Sequence, residues 1–240
     1  MISRRDEVVA LVPAAGFGSR MGSNLPKQYL ALNDSSVLDC TLERIRAVPD
    51  VSRIVLVVSS VELEHQRSFP DDVFITAGGE TRAQSVRNGL IYIRDELKHT
   101  SLVLVHDAAR PCVRVADINR LIDEVGQSAD GGILAIPVHD TLKRSNDSRQ
   151  ITATVDRSNI WRAVTPQLFE LEPLVAALDK ADHDGITVTD EASAIEYMGG
   201  KPCVVECAQD NIKITVPEDL ALARIILAAQ IEAGSSIANP

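Results

Sequence analysis

Nothing in this 240-residue chain approaches the roughly 18 consecutive apolar residues that would cross a bilayer, so a helical membrane span is not expected. The opening MISRRDEVV carries acidic residues and lacks the apolar centre of a signal peptide, so export is not expected and a cytoplasmic location is. An excess of positive charge is also missing: 24 Lys and Arg against 34 Asp and Glu leave a formal charge of -10. That balance argues against nucleic acid or an anionic membrane as partner, since both reward a basic surface. The four cysteines, Cys40, Cys112, Cys203 and Cys207, include no C-x-x-C pair, which favours free cytosolic thiols over a zinc site. Cys203 and Cys207 fall in an expected strand, where their spacing sets them along one face.

Two familiar phosphate loops are missing as well. A Walker A loop would need a lysine that is not there, because Gly18 is followed four positions later by Gly22 and Ser23 with no lysine between. A dinucleotide fingerprint needs Gly or Ala where this chain has Met21, too large for close helix-to-strand packing. What is present is VVALVPAAGFGSRM (8–21), an apolar run that reads as a buried strand and breaks into small residues. Pro13, Ala14, Ala15, Gly16 and Gly18 have little side-chain bulk, so backbone N–H groups there can approach an anion. Arg20 and Lys27 add two cations that a phosphate chain could bridge, and Pro26 stiffens the backbone before the lysine. The pattern reads as a triphosphate cradle. The plainer alternative is a tight glycine turn between strand and helix.

Chain length suits one α/β domain over 1–240, and hydrophobic residues at 45% supply a core. Buried strands are expected at 53–60, 72–78, within SLVLVHDAARP (101–111), where a strand runs into a polar loop, and at GGILAIPV, alternating with helices at 35–48, after 80, and at VADINRLIDEVGQ. Such alternation predicts a Rossmann-like three-layer sandwich with a mostly parallel sheet, whose ligands sit beyond the strands' carboxyl ends. It breaks between 139 and 165, where HDTLKR and ITATVDR flank a turn-prone SNDSRQ. That reads as a protruding β-hairpin arm, 139–160, inserted in the domain. Alone it is poorly stabilised, so it is expected to pack on a second subunit; the alternative is an arm folded back on its own domain. A helix is expected from Pro166, then strands at KPCVVECA and NIKIT, and a last helix opening with Pro217, Glu218 and Asp219.

Three further stretches carry candidate chemistry. In GGETRAQS (78–85) glycine backbone groups can read a base edge, with Ser85 adding a hydroxyl one turn into a helix; a bare turn is the alternative. In HDAARP (106–111) the Asp107 carboxylate at a strand's end could meet substrate hydroxyls or approach Mg²⁺, with Arg110 holding it. A purely structural Asp107 to Arg110 ion pair is the alternative, and His106 reads as a packed strand-end residue. Thr189 is expected as a helix N-cap before Asp190 and Glu191, and Lys213 as a residue of a short, aggregation-resistant edge strand.

The strand followed by Ala-Ala-Gly-x-Gly-x-Arg-Met and Pro-Lys-Gln, joined to the later motifs, resembles the 2-C-methyl-D-erythritol 4-phosphate cytidylyltransferases of non-mevalonate isoprenoid synthesis. The resemblance runs from residue 13 to 215 in the expected order. It implies transfer of a cytidylyl group from CTP, with Mg²⁺ held mainly by the CTP phosphates and a homodimer built through the arm. It assigns Gly79, Glu80 and Ser85 to the cytosine and ribose region, the family often having Asp at Glu80. It adds Asp107, Ala108, Arg110, Thr165 and Thr189 as substrate contacts, Arg20 and Lys27 as stabilisers of the crowded phosphates, and Lys213 as a grip on the acceptor phosphate. Thr141 and Arg157, in the arm's Asp-Thr and Thr-Val-Asp-Arg pieces, would reach into the neighbouring subunit's site. Rival readings are another acceptor such as ribitol 5-phosphate and a non-catalytic nucleotide-sensing module. Some relatives fuse a downstream cyclase, and nothing in these residues is expected to encode one.

Overall fold

The computed structural model describes residues 7–16, 25–64, 69–97 and 100–234. Gly18 and Arg20 lie outside the described residues.

The chain opens with β1 (Val8–Pro13), a 3-10 turn (Lys27–Tyr29) and the short pair β2 (Ala31–Leu32) and β3 (Ser35–Ser36). It continues through α1 (Val37–Arg46), β4 (Val51–Val58), α2 (Ser60–Glu64), β5 (Val73–Ala77), α3 (Arg82–Glu96), β6 (Leu102–Val105), α4 (Val115–Val125) and β7 (Gly132–Pro137). Then come β8 (Leu142–Ser145), β9 (Ile151–Val155), β10 (Trp161–Glu170), α5 (Leu171–His183), α6 (Glu191–Tyr197), β11 (Cys203–Glu206) and α7 (Pro217–Glu232).

Two helix starts follow directly from side-chain chemistry. At α1, Ser36 Oγ accepts from the Asp39 N–H at 3.1 Å while the Asp39 carboxylate accepts from the Ser36 N–H at 3.2 Å. Thr81 and Gln84 make the same reciprocal pair at α3, and each such cap contributes about 1 kcal/mol.

Seven strands form the central sheet in the order β11-β7-β10-β6-β1-β4-β5. β10 alone runs antiparallel, between β6 and β7. Alternate residues of the strands bury opposite faces, as strand geometry requires. Val8, Ala10 and Val12 pack with Leu38, Leu42 and Ile45 of α1 and Ile118 and Leu121 of α4. Val9 and Leu11 pack with Val86, Leu90 and Ile93 of α3 and Leu174 and Leu178 of α5. Helices therefore cover both faces, giving three layers. A third cluster seats α7 through Ala223 and Leu227 against Leu32, Val37, Cys112 and Ile214.

After β5 the chain returns across β1 to lay down β6, so the strand order reverses between β1 and β6. Doubly wound sheets open a crevice at such a point. The residues after β1 and those after β6 both end there.

The expected hairpin is present as a separate two-stranded sheet of β8 and β9. Ile151 on it is 67% exposed and the adjoining Trp161 38%, while Leu142 and Val155 are half-buried.

Several expectations need correcting. Pro166 lies inside β10, with a cis Thr165-Pro166 bond, and the helix begins at Leu171. A proline breaks a central strand only if a ladder bond needs its N–H. Here the pairing with β7 skips from Ala163 to Gln167, and pairing with β6 starts at Gln167. NIKIT is not a strand: residues 211–215 join no ladder, although the Ile214 N–H donates to the Ala109 carbonyl at 2.9 Å. Lys213 is thus on a strap held mainly by side chains. The N-cap of α6 is Asp190, which accepts from Ser193, while the Thr189 N–H donates to Ser193 Oγ. Cys203 is exposed and Cys207 buried, because β11 ends at Glu206 and the chain turns; all four cysteines are free.

Candidate active site

The crevice above β1 and β6 holds a cavity of ≈ 320 Å³. Its walls bring together Pro13, Ala14, Ala15, Gly16, Lys27, Gly79, Glu80, Ser85, Asp107, Ala108 and Lys213, all singled out from the sequence. Gln28, Thr81, Arg82 and Ala109 complete it. A second cavity of ≈ 230 Å³ lies alongside, lined by Arg110, Thr165 and Thr189 among others. Arg82, Asp107 and Lys213 line both.

The loop after β1 is held from below. The Gln28 side chain is buried and its Nε2 donates to the Ala14 carbonyl at 2.6 Å and the Gly16 carbonyl at 3.3 Å. Among the described residues a Cβ on Gly16 would meet nothing within 4 Å, so they leave room at this glycine for a ligand. Gly78 is different: a Cβ there would lie 2.5 Å from the Ala15 Cβ and 2.9 Å from Ser85 Oγ. The two small-residue loops can meet only because it is glycine. Ser85 Oγ accepts from the Gly79 N–H at 3.1 Å and donates to the Thr81 carbonyl at 2.9 Å, which shapes the second loop.

Charge concentrates on the shared wall. Asp107 Oδ1 accepts from Arg82 Nε at 3.2 Å, and Oδ2 accepts from Arg110 Nε at 3.2 Å and Lys213 Nζ at 2.9 Å. Burial opposes ionisation of Asp107, but Arg82, Lys213 and Arg110 outweigh it and hold the carboxyl well below the usual carboxylate range. Arg82 also grips Glu191, with Nη1 to Oε1 at 2.6 Å and Nη2 to Oε2 at 3.2 Å. Burial works against its charge as well, and Glu191 and Asp107 more than compensate, so its pKa is raised. The Asp107 to Arg110 pair expected from HDAARP is therefore real but belongs to a larger cluster.

Neighbouring backbone is tied to this cluster. The Asp107 N–H donates to Thr165 Oγ1 at 3.0 Å, Thr165 Oγ1 contacts His106 Nδ1 at 3.1 Å, and His106 Nε2 faces the Arg110 carbonyl at 3.2 Å. His106 is fully buried, as its strand-end reading required, and burial pushes its pKa down to about 4. Arg110 Nη1 donates to the Asn211 carbonyl, and Asn211 Nδ2 to the Thr165 carbonyl, both at 2.9 Å. Lys27 Nζ donates to the Ile214 carbonyl at 2.9 Å, one residue from Lys213. Loops nearly 190 residues apart thus meet in one place.

Thr141 and Arg157 are not brought here; both are exposed on the arm. Sequence reasoning passed over Arg82, Glu191 and Gln28. Arg82 carried a usable signal, a cation inside a small-residue loop of an acidic chain, whereas Glu191 and Gln28 acquire meaning only from partners distant in the chain. Among the described residues no group of three or more His, Cys, Asp or Glu side chains is arranged to hold a metal ion, and both Asp107 oxygens already receive cations. The site is built for anions.

Comparison with known proteins agrees with this construction. The family model for IspD, 2-C-methyl-D-erythritol 4-phosphate cytidylyltransferase, matches residues 8–229. A protein of that name from Vibrio parahaemolyticus is 46% identical over 225 residues, spanning 92% of this chain and 96% of the relative. One from Hahella chejuensis is 47% identical over 220 residues, 90% and 91% of the two chains. The crystal structure of the Francisella tularensis enzyme of the same name superposes with a TM-score of 0.79 at 38% identity, covering 92% of this chain and 99% of that one. Matched by the family model over residues 8–229 and by these relatives across nearly its whole length, the chain belongs to the 2-C-methyl-D-erythritol 4-phosphate cytidylyltransferase family.

Proposed function

We propose that this protein transfers the cytidylyl group of CTP to 2-C-methyl-D-erythritol 4-phosphate, releasing pyrophosphate and 4-diphosphocytidyl-2-C-methyl-D-erythritol. One observation carries the reading: two adjoining cavities share a wall of Arg82, Asp107 and Lys213. A reaction between two phosphates needs such a place, where both polyanions face the same cations.

In this reading CTP occupies the first cavity. Glycine backbone at Gly79, with Glu80 and Ser85, faces the base and ribose, and Pro13 to Gly16, Gly18, Ala108, Arg20 and Lys27 cradle the triphosphate. The acceptor takes the second cavity, against Arg110, Thr165 and Thr189. An oxygen of its phosphate attacks the α-phosphorus of CTP; a new P–O bond forms, the bond to the β-phosphate oxygen breaks, and pyrophosphate leaves with that electron pair. No protein nucleophile is required because the attacking oxygen is already anionic. Catalysis is alignment and charge neutralisation. Lys213 holds the acceptor phosphate, and Lys27 leaves the Ile214 carbonyl to meet the leaving group.

Mg²⁺ would be held mainly by the CTP phosphates and would supply further neutralisation of the triphosphate. The donor set supports this, since the cavity offers Asp107 already engaged and Glu80 exposed rather than a cage of free carboxylates. The arm builds a homodimer in which Thr141 and Arg157 complete the partner's acceptor site; the exposed Ile151 and Trp161 support an interface there. Free thiols support a cytoplasmic location.

The test is pyrophosphate release from CTP and Mg²⁺ with 2-C-methyl-D-erythritol 4-phosphate, run beside ribitol 5-phosphate. Release with the first acceptor alone is expected. Release with ribitol 5-phosphate alone would move the protein to another polyol phosphate, and CTP binding without release by either would make it a nucleotide sensor.

A further inference from the structure

We infer that Glu191 is a positioning residue for cytidylyl transfer, acting through Arg82 to fix the cluster of charges at the junction between the two cavities. The inference rests on the function proposed above and extends it to a residue that touches no reacting atom in that scheme.

Glu191 is 1% exposed and lines neither cavity, so a substrate cannot reach it directly. Its two oxygens accept from two different nitrogens of Arg82, a bidentate arrangement that sets the plane of the guanidinium. The third nitrogen of the same group, Nε, reaches Asp107 Oδ1. With Arg82 so oriented, the Asp107 carboxylate is pinned on one oxygen, and the other oxygen is the one that receives Lys213 and Arg110. The chain of contacts therefore runs Glu191, Arg82, Asp107, Lys213, and its far end is the amine assigned to the acceptor phosphate.

The placement of Glu191 is itself over-determined. It opens α6, whose cap Asp190 accepts from Gln167 Nε2 at 2.8 Å, while Gln167 Oε1 accepts from the Ala192 N–H at 2.9 Å. Gln167 is buried in β10 two residues beyond Thr165. The central sheet thus sets the helix start, the helix start sets Glu191, and Glu191 sets Arg82. Thr189 sits two residues before Glu191, so the same anchor holds the acceptor side of the junction. The nucleotide loop after β1, by contrast, is held by Gln28, which Glu191 does not touch. Loss of Glu191 should therefore disturb alignment of the acceptor more than capture of CTP.

Wild type, Glu191→Gln, Arg82→Ala and the double variant are compared by pyrophosphate release and by equilibrium binding of CTP, with thermal denaturation alongside. A misplacement of about 1 Å at a reacting centre costs about 100-fold in rate. The expected result is a kcat lower by at least about tenfold in Glu191→Gln, CTP affinity changed by less than about threefold, and a double variant no slower than Arg82→Ala alone. Should Glu191→Gln not fold, Arg82→Lys serves in its place, since a point charge cannot span both carboxylates, and the same loss of kcat is expected. A wild-type enzyme that turns over beside a Glu191→Gln variant within about twofold of it, or with only a lower melting temperature, overturns the inference alone. Losses that add in the double variant overturn it too. A wild type that releases no pyrophosphate with either acceptor overturns the function first and this inference with it.

Discussion

Lowering the pH should destabilise the fold through one buried histidine. His106 is fully buried, and its partners define a single neutral tautomer. Nε2–H donates to the Arg110 carbonyl, and Nδ1 accepts the Thr165 hydroxyl proton while the same hydroxyl oxygen accepts from the Asp107 N–H. Adding a proton to Nδ1 leaves the hydroxyl without an acceptor and puts a charge where water cannot reach it. Burial accordingly lowers the pKa to about 4 from an ordinary 6.5. Above pH 6.5 neither state holds a proton on this ring, and stability does not depend on it. Between 6.5 and about 4 the unfolded chain binds the proton and the native state does not, so stability falls as pH falls, by about 3 kcal/mol over that interval. Asp107 adds a loss of the same sign only below its ordinary value of 3.8. Against the 5–15 kcal/mol typical of a domain, roughly 3 kcal/mol is a large share. Urea unfolding from pH 4 to 8, for wild type and His106→Gln, isolates the effect, since glutamine offers a donor and an acceptor but no titration. The wild-type curve should fall more steeply below pH 6.5. Parallel curves, or an NMR midpoint near 6.5 for His106, would refute the reasoning.

Other substitutions separate binding from folding. Lys27→Ala should slow pyrophosphate release by about 100- to 1000-fold while the melting temperature moves little, since a hydrogen bond such as that to the Ile214 carbonyl is of modest net worth to the fold. Gly78→Ala should cost about 1–3 kcal/mol in chemical denaturation, because its methyl meets Ala15 and Ser85; Gly16→Ala should leave stability unchanged and weaken CTP binding in a calorimetric titration. Arg157→Ala and Lys213→Ala should each be inactive alone. If the arms cross between subunits, mixing the two restores about a quarter of the wild-type rate, because half the dimers then hold one intact site; no recovery would leave Arg157 serving its own chain or none.

Much of this was legible because it is local. The apolar spacing of α1, α3 and α4 and the continuous apolar runs of β1, β4 and β6 announce themselves within a dozen residues, and the small-residue loops mark the strand ends that line the cavity. What escaped is non-local. Pro166 reads as a helix start because the skipped pairing that accommodates it in β10 depends on β7, nearly thirty residues earlier. The strap at 211–215 has strand-like residues but no ladder, since Arg110, Ala109 and Thr165 hold it from another part of the chain. Arg82 and Glu191 are 109 residues apart, and no sequence pattern pairs them.

The register of β7 with β10 gives the arm an unexpected standing. Pro137 lies opposite Trp161, and the Val138 N–H donates to the Ile160 carbonyl at 3.1 Å, so the two strands are the legs of an ordinary antiparallel hairpin whose tip has been drawn out into residues 138–160. Everything beyond that crossing is an excursion that begins and ends at one point. A chain with 138–160 replaced by a two-residue Asn-Gly turn would still possess all seven strands and both cavities. Excursion and architecture are therefore separable here: residues 138–160 can be cut away like a handle, leaving the vessel whole.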